Sequence, residues 1–161
     1  MKQILNIGDA PLQARHSPGG RFLCDHASLT RALGARKLGV SLTVVAPGNR
    51  AWPRHAHHVN EEMIYILDGE GTYHCGAESA PVRAGDLIAA PPGDGSTAHQ
   101  IENTSQAELR YLTFSTQLDP EVVEYPDSGK IGIASYAGHD APTVRLLVPA
   151  GRSLDYWEGE E

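Results

Sequence analysis

Apolar and polar side chains alternate along residues 38–44, the apolar positions being Leu38, Val40, Leu42 and Val44. Side chains of a β-strand point to opposite faces in turn, so this period of two predicts a strand with one buried face. Pro47 and Gly48 follow the alternating run and predict the turn that ends it. The clearest pattern in the sequence is therefore a β pattern.

Short apolar segments separated by glycine and proline follow this strand at regular spacing. We predict further strands over residues 52–59, 62–68, 72–75, 77–83, 87–90, 99–103, 109–116 and 121–125. Two shorter candidates lie at residues 131–135 and 144–148. Many short strands joined by turns are typical of an all-β sandwich or barrel. No repeat period or helical crossover appears in the sequence.

The two ends of the chain differ from this central series. Residues 1–36 are broken repeatedly by proline and glycine, which predicts strands and loops that wrap around a single barrel core at residues 37–126. Residues 127–161 are expected to form a C-terminal extension, packed on the barrel or on a partner subunit. In its last residues Tyr156 and Trp157 stand among acidic side chains.

Length and composition exclude several classes of function. At 161 residues the chain has the length of one domain, and 17 glycines and 11 prolines with 40% hydrophobic residues indicate a turn-rich globular protein. The formal net charge is −7 and no cluster of lysine and arginine is present. This balance argues against a nucleic-acid surface and against binding to an anionic membrane.

Localisation and cysteine chemistry follow from equally simple features. No apolar run approaches the roughly 20 residues of a spanning helix, and residues 1–5 lack the apolar stretch of a signal peptide. We therefore expect a cytoplasmic protein. Cys24 and Cys75 lie far apart and form no CxxC pair, so both are predicted to be free thiols.

Four side chains in the central region have the character of metal ligands. His55 and His57 are two residues apart, so an extended strand would carry both imidazoles on one face. Glu62 begins an apolar run that would carry its carboxylate toward the interior, and His99 opens a later alternating segment. Three imidazoles and one carboxylate suit a borderline divalent metal such as Zn, Mn, Fe, Co, Ni or Cu.

Two neighbouring residues compete for these roles. On a strand His58 points to the face opposite His57. Glu61 leaves one residue too many before Gly69. We therefore favour His57 and Glu62 as ligands.

The arrangement of these residues resembles the two sequence motifs of the cupin family. The first motif is matched by Gly48, His55, His57, Glu62 and Gly69, with one extra residue before the first histidine. The second is matched by Gly85, Pro91, Gly93, His99 and Asn103, with five residues rather than two between Gly93 and His99. The resemblance covers about residues 40–116, roughly half of the chain.

The resemblance implies an all-β, single-domain double-stranded β-helix, a jelly-roll barrel with extra terminal segments. It also implies one divalent metal ion per chain, held by His55, His57, Glu62 and His99 in the mouth of the barrel. Cupins commonly pair as homodimers, which we expect here as well. The expected ligand of the metal centre is a small-molecule substrate.

Three functions remain open from the sequence. The first is a sugar-phosphate isomerase, in which the metal acts as a Lewis acid and a cation holds the phosphate, the available candidates being Arg50, Arg54, Arg83 and Arg110. The second is a dioxygenase acting on a small enol or thiol, and the third is a metabolite-binding protein without catalysis. Side chains that choose between them would lie on the barrel wall, the candidates being Trp52, Tyr65, Tyr73, Tyr111 and Phe114.

Overall fold

The computed structural model describes residues 3–138 and 141–160, and over these ranges the regular structure consists of strands and three short 3-10 helices. The strands are β1 Gln13–His16, β2 Leu23–Ser28, β3 Leu38–Val45, β4 Ala56–His57, β5 Glu62–Asp68, β6 Glu70–Cys75, β7 Glu78–Arg83, β8 Leu87–Ala90, β9 His99–Glu102, β10 Leu109–Thr116, β11 Glu121–Tyr125, β12 Lys130–Ser135 and β13 Val144–Pro149. The prediction of an all-β protein is confirmed. No helix among the described residues is long and apolar enough to cross a membrane.

The strands form antiparallel sheets that face each other across a common interior. One sheet has the order β1-β2-β3-β10-β5-β8, and the others have the orders β13-β12-β11-β4 and β7-β6-β9. A bridge between His55 and His99 joins the second and third sheets next to β4. The two smaller sheets therefore act as one wall opposite the six-stranded sheet.

The interior is filled by side chains that alternate inward along these strands. On β5 the period of two places Ile64 and Ile66 inside, and they are 4% and 0% exposed. They pack in one cluster with Cys24, Val45, Ala51, Val82, Ile101, Leu109 and Tyr111. Burying one large apolar side chain stabilises a fold by roughly 1.5–3 kcal/mol, so this cluster fixes which face of β5 points inward. The same alternation directs Glu62 to the interior.

A second apolar cluster covers the outer face of the six-stranded sheet. Ala27, Leu29 and Leu42 are buried there, and the N-terminal residues Leu5 and Ala10 pack against them. Leu5 and Ala10 are therefore part of the packing of this sheet. At the other end, β12 and β13 extend the sheet of β11. The exact division at residues 36 and 126 stays a prediction.

Two predictions about the barrel wall are wrong. The strand over residues 52–59 is reduced to β4, because Pro53 has no N–H to donate and only His55 pairs nearby, through its bridge to His99. Tyr65 and Phe114 do not line the interior. They alternate with inward residues and lie on the outer face, where Tyr65 pairs with Leu112 and Phe114 pairs with Met63. They are 37% and 40% exposed.

A close backbone approach makes Gly69 more demanding than other turn glycines. Gly69 has φ +83°, and a Cβ there would lie 2.3 Å from the carbonyl oxygen of Glu108. Gly48 has a similar φ of +74°, but a Cβ there would meet nothing within 4 Å. Both glycines therefore have a left-handed backbone that disfavours other residues. Only at Gly69 would an added Cβ also clash with the backbone.

We predict that Gly69→Ala lowers the free energy of unfolding by about 2–4 kcal/mol, and Gly48→Ala by about 1 kcal/mol. The left-handed backbone disfavours alanine at both sites, while overpacking against Glu108 occurs only at Gly69. Urea unfolding of the two variants measures the difference. Equal losses would contradict the steric argument.

Candidate metal centre

Three separate strands bring the four expected ligands to one end of the interior. His55 and His57 flank Ala56 at β4, Glu62 begins β5, and His99 begins β9. The ring centroid of His55 lies 4.8 Å from that of His99 and 5.1 Å from that of His57. The rings of His57 and His99 are 6.3 Å apart. All four predicted residues therefore meet in one cluster.

The atoms of this cluster that can ligate a metal face one another. One ligand atom each from His55, Glu62 and His99 lies within 4.8 Å of the others, a spacing that could hold a single ion. His57 lies outside this group of three but remains adjacent, since its Nε2 is 3.6 Å from Oε2 of Glu62. The side chains of His99 and Glu62 are only 7% and 15% exposed.

Hydrogen bonds at Nδ1 leave Nε2 of His55 and of His57 available. Nδ1 of His55 lies 2.8 Å from the carbonyl oxygen of Pro53, so it donates there and leaves the lone pair on Nε2. Nδ1 of His57 lies 3.3 Å from Oε2 of Glu121. Nε2 of His57 is buried and has no hydrogen-bond partner among the described residues. A buried imidazole nitrogen without a partner is costly, and a metal ion would satisfy it. The donor set therefore fits a divalent metal.

Glu121 and Asn60 support the cluster, although no pattern in the sequence indicated a role for either residue. Glu121 begins β11, contacts His57, and accepts hydrogen bonds from the side chain of Asn60 and from the backbone N–H of Val122. Asn60 is itself fixed, because its Oδ1 accepts from the Thr116 hydroxyl at 2.8 Å and from the Leu118 N–H at 2.7 Å. Glu121 is 64 residues from His57 in the chain, so no local pattern indicates their contact.

The pKa values of His55 and His57 are shifted in opposite directions. Burial, together with the nearby rings of His99 and His57, lowers the pKa of His55 to about 4. Burial also acts to lower the pKa of His57, but the hydrogen bond to Glu121 and the charge of Glu62 outweigh it and raise that pKa. For Glu62 burial raises the pKa, while the hydrogen bond with His99 and the neighbouring histidines bring it below its ordinary value. The carboxylate is therefore held ionised.

The competing residues do not enter the cluster. Nε2 of His58 lies 3.2 Å from Oε2 of Glu124, on the other face of the strand, and Glu61 is exposed. Cys24 and Cys75 are free, as predicted. Burial raises the pKa of Cys24 to about 11, so its thiol stays protonated at neutral pH and is a poor metal ligand.

The four arginines considered as phosphate ligands are either neutralised or distant. Arg50 pairs with Glu102 at 2.8 Å, and Arg54 pairs with Asp127 at 2.8 Å. Arg83 is the last residue of β7, next to the turn that follows β5, and so lies at the end of the barrel opposite Glu62. Arg110 lies opposite Asp68 in the register of β10 and β5, at that same far end.

The fold and the cluster define an all-β barrel with a histidine and carboxylate site inside one end. Residues 41–115 match the family model of the cupin domain. These residues therefore form a cupin domain, and the prediction of a cupin fold, the double-stranded β-helix, is confirmed.

Solved structures resemble nearly the whole chain. One is a protein from Acidithiobacillus ferrooxidans whose name proposes a sugar phosphate isomerase; it is 26% identical, with a TM-score of 0.76, over 95% of this chain and 97% of that chain. A cupin-superfamily sugar phosphate isomerase from Silicibacter pomeroyi has a TM-score of 0.77 over the same shares, at 22% identity. At that identity the second likeness shows the fold alone.

A curated relative matches a shorter region. The oxalate-binding protein of Thermotoga maritima is 38% identical over 58 residues, which are 36% of this chain and 46% of the relative. The match thus spans about half the length of that relative.

The contact between Glu121 and His57 predicts a titration that differs between two matched variants. In metal-free protein, Glu121→Gln should lower the pKa of His57, because the substitution removes the charge and hydrogen bond that raise it. Glu124→Gln, which alters the contact of His58 on the opposite face, should leave that pKa unchanged. Histidine ring resonances followed by NMR across pH in the presence of a chelator measure both. An unchanged pKa in Glu121→Gln would show that Glu121 does not act on His57.

Proposed function

We propose that His55, His57, Glu62 and His99 bind one divalent metal ion per chain. The observation that carries this proposal is the buried, unpartnered Nε2 of His57 beside the ionised carboxylate of Glu62. Zn, Mn, Fe, Co, Ni and Cu all accept such a ligand set. Four protein ligands leave one or two coordination positions for a substrate on a metal that accepts five or six.

We further propose that the protein is a metal-dependent isomerase of a sugar phosphate. A bound divalent metal would supply Lewis-acid polarisation of a carbonyl or hydroxyl oxygen. The likeness to the Acidithiobacillus ferrooxidans protein, which extends over almost all of both chains, supports this choice of substrate class. The small-molecule substrate would enter at the end of the barrel where the four side chains meet.

The chain's own residues have definable tasks in such a reaction. His55 is held by Pro53 and His57 by Glu121, so both rings keep fixed orientations. Three acid–base groups outside the four ligands also contact the cluster and are candidates for moving a proton between adjacent carbons. One is Glu121, which contacts His57. The other two are Tyr125, whose ring stacks on that of His55 at a centroid distance of 6.1 Å, and Tyr73, whose ring centroid lies 6.2 Å from that of His99.

A second candidate function is binding of a small dicarboxylate without turnover. It is favoured by the relative from Thermotoga maritima, whose name states that it binds oxalate. A dicarboxylate would chelate the same metal through two oxygens. The two functions therefore share the metal centre and differ in whether the ligand is released unchanged.

The metal proposal predicts a loss of stoichiometric metal in ligand variants. His55→Ala and His99→Ala should each reduce bound metal from one per chain to a small fraction, because each removes a nitrogen that no neighbour replaces. His58→Ala is the matched control and should retain full metal, since its ring faces Glu124. Elemental analysis measures the metal, and circular dichroism confirms a folded barrel. Full occupancy in both ligand variants would refute the assignment.

The reaction itself is tested on protein purified without added metal. Turnover of sugar phosphates without oxygen uptake would support the isomerase, and oxalate binding without any turnover would support the binding protein. Iron, nickel or copper together with substrate-dependent oxygen uptake would identify the dioxygenase instead. An oxygen electrode, a panel of sugar phosphates, enols and thiols, and calorimetry with oxalate provide the readouts.

We also propose that the protein acts as a homodimer in the cytoplasm. Exposed apolar side chains support the dimer, since Tyr156 and Trp157 in the C-terminal tail are 81% and 70% exposed. Sedimentation equilibrium should give about twice the 17.3 kDa mass of one chain. A mass of one chain would refute it.

A further inference from the structure

The sheet formed by β11, β12 and β13 turns one face toward the candidate metal centre. In antiparallel sheets, paired residues direct their side chains to the same face. Val123 pairs with His57, so the inward face of β11 carries Glu121, Val123 and Tyr125. Lys130 pairs with Tyr125, which places its side chain on that face as well.

Arg145 lies on β13, and its side chain is on the same face of this sheet. Ala134 of β12 pairs with both Glu121 and Arg145, so Arg145 shares the inward direction of Glu121. The side chain of Arg145 comes close enough to Tyr125 for its charge to act on the phenol hydroxyl. Nζ of Lys130 lies 5.9 Å from the centroid of the Tyr125 ring. Two cations therefore converge on the tyrosine that stacks on His55.

Both cations retain uncompensated charge. Arg50 and Arg54 are held by carboxylates, but within residues 3–138 and 141–160 neither Lys130 nor Arg145 makes an ion pair. Glu121 is the acidic group on this face, and its oxygens are engaged by His57, Asn60 and Val122. Positive charge beside a carbonyl-activating metal suits a ligand with an anionic end.

We infer that Lys130, Arg145 and Tyr125 form the anion-recognition wall of the metal centre and bind the phosphate or carboxylate group of a substrate whose other end lies at the four metal ligands. This inference rests on the proposed function and names the residues that select its substrate class. Tyr125 supplies a hydroxyl donor, and its rigid ring lies between His55 and Lys130. The arginines near the motifs are excluded from this task by their carboxylate partners or by distance.

The first test uses inorganic phosphate and metal-free protein, so that it does not depend on the metal. Phosphate should cause saturable shifts of backbone amide resonances in β11, β12 and β13 in NMR spectra. Arg145→Gln and Lys130→Gln should each weaken this binding about tenfold, whereas Arg145→Lys should restore most of it. Arg83→Gln removes the same charge at the opposite end of the barrel and should bind as the wild type does.

The second test separates phosphate from carboxylate recognition in metal-loaded protein. Calorimetry compares glucose, glucuronate and glucose 6-phosphate, which differ in the group at the sixth carbon. Tighter binding of the phosphate ester assigns the wall to phosphate, and tighter binding of glucuronate assigns it to carboxylate. In either case Arg145→Gln should remove most of the preference over glucose.

Two outcomes would overturn the inference. One is the absence of saturable phosphate binding together with no preference for either charged sugar. The other is an unchanged preference in both Arg145→Gln and Lys130→Gln. Metal content measured on the same samples reports on the proposed function separately, because all of these variants should retain one metal per chain.

Discussion

The carboxylate of Glu62 is held inside this barrel by the packing of its own strand. Glu62, Ile64 and Ile66 share one face of β5, and the two isoleucines belong to the main core cluster. Turning Glu62 toward solvent would turn the isoleucines outward as well, because a strand has a period of two. A buried charge is tolerated only with compensating partners. The three imidazoles around Glu62, and the cation they are suited to share, follow from this constraint.

The backbone then fixes the geometry around the carboxylate. The His55 N–H donates to the carbonyl oxygen of His99 at 3.1 Å, and the His99 N–H donates back to His55 at 2.8 Å. Two of the four side chains are thus placed by a pair of main-chain hydrogen bonds instead of by flexible loops. His57 is positioned from the other side, by Glu121 on β11. Ligands from opposite walls meet only because the barrel closes.

Local patterns in the sequence were sufficient to predict the strands and the four candidate ligands. A short apolar run predicted β5 at residues 62–68, and spacing indicated His55, His57, Glu62 and His99 as a set of candidate ligands. The contacts of Glu121, Tyr125 and Arg145 were not predictable, since they depend on strand pairing between residues far apart in the chain. The same limit explains Tyr65, where an aromatic residue in an apolar run gave no indication of which face it would occupy.

The wall made by β11, β12 and β13 comes from the last third of the chain. A ribosome releases the chain from its N-terminus, so His55, His57, Glu62 and His99 emerge before Glu121 and Arg145 do. In the nascent barrel these four side chains are therefore present while one side is still open. Once the final strands pair, that side closes over them. The order of synthesis thereby separates the appearance of the four side chains from their confinement.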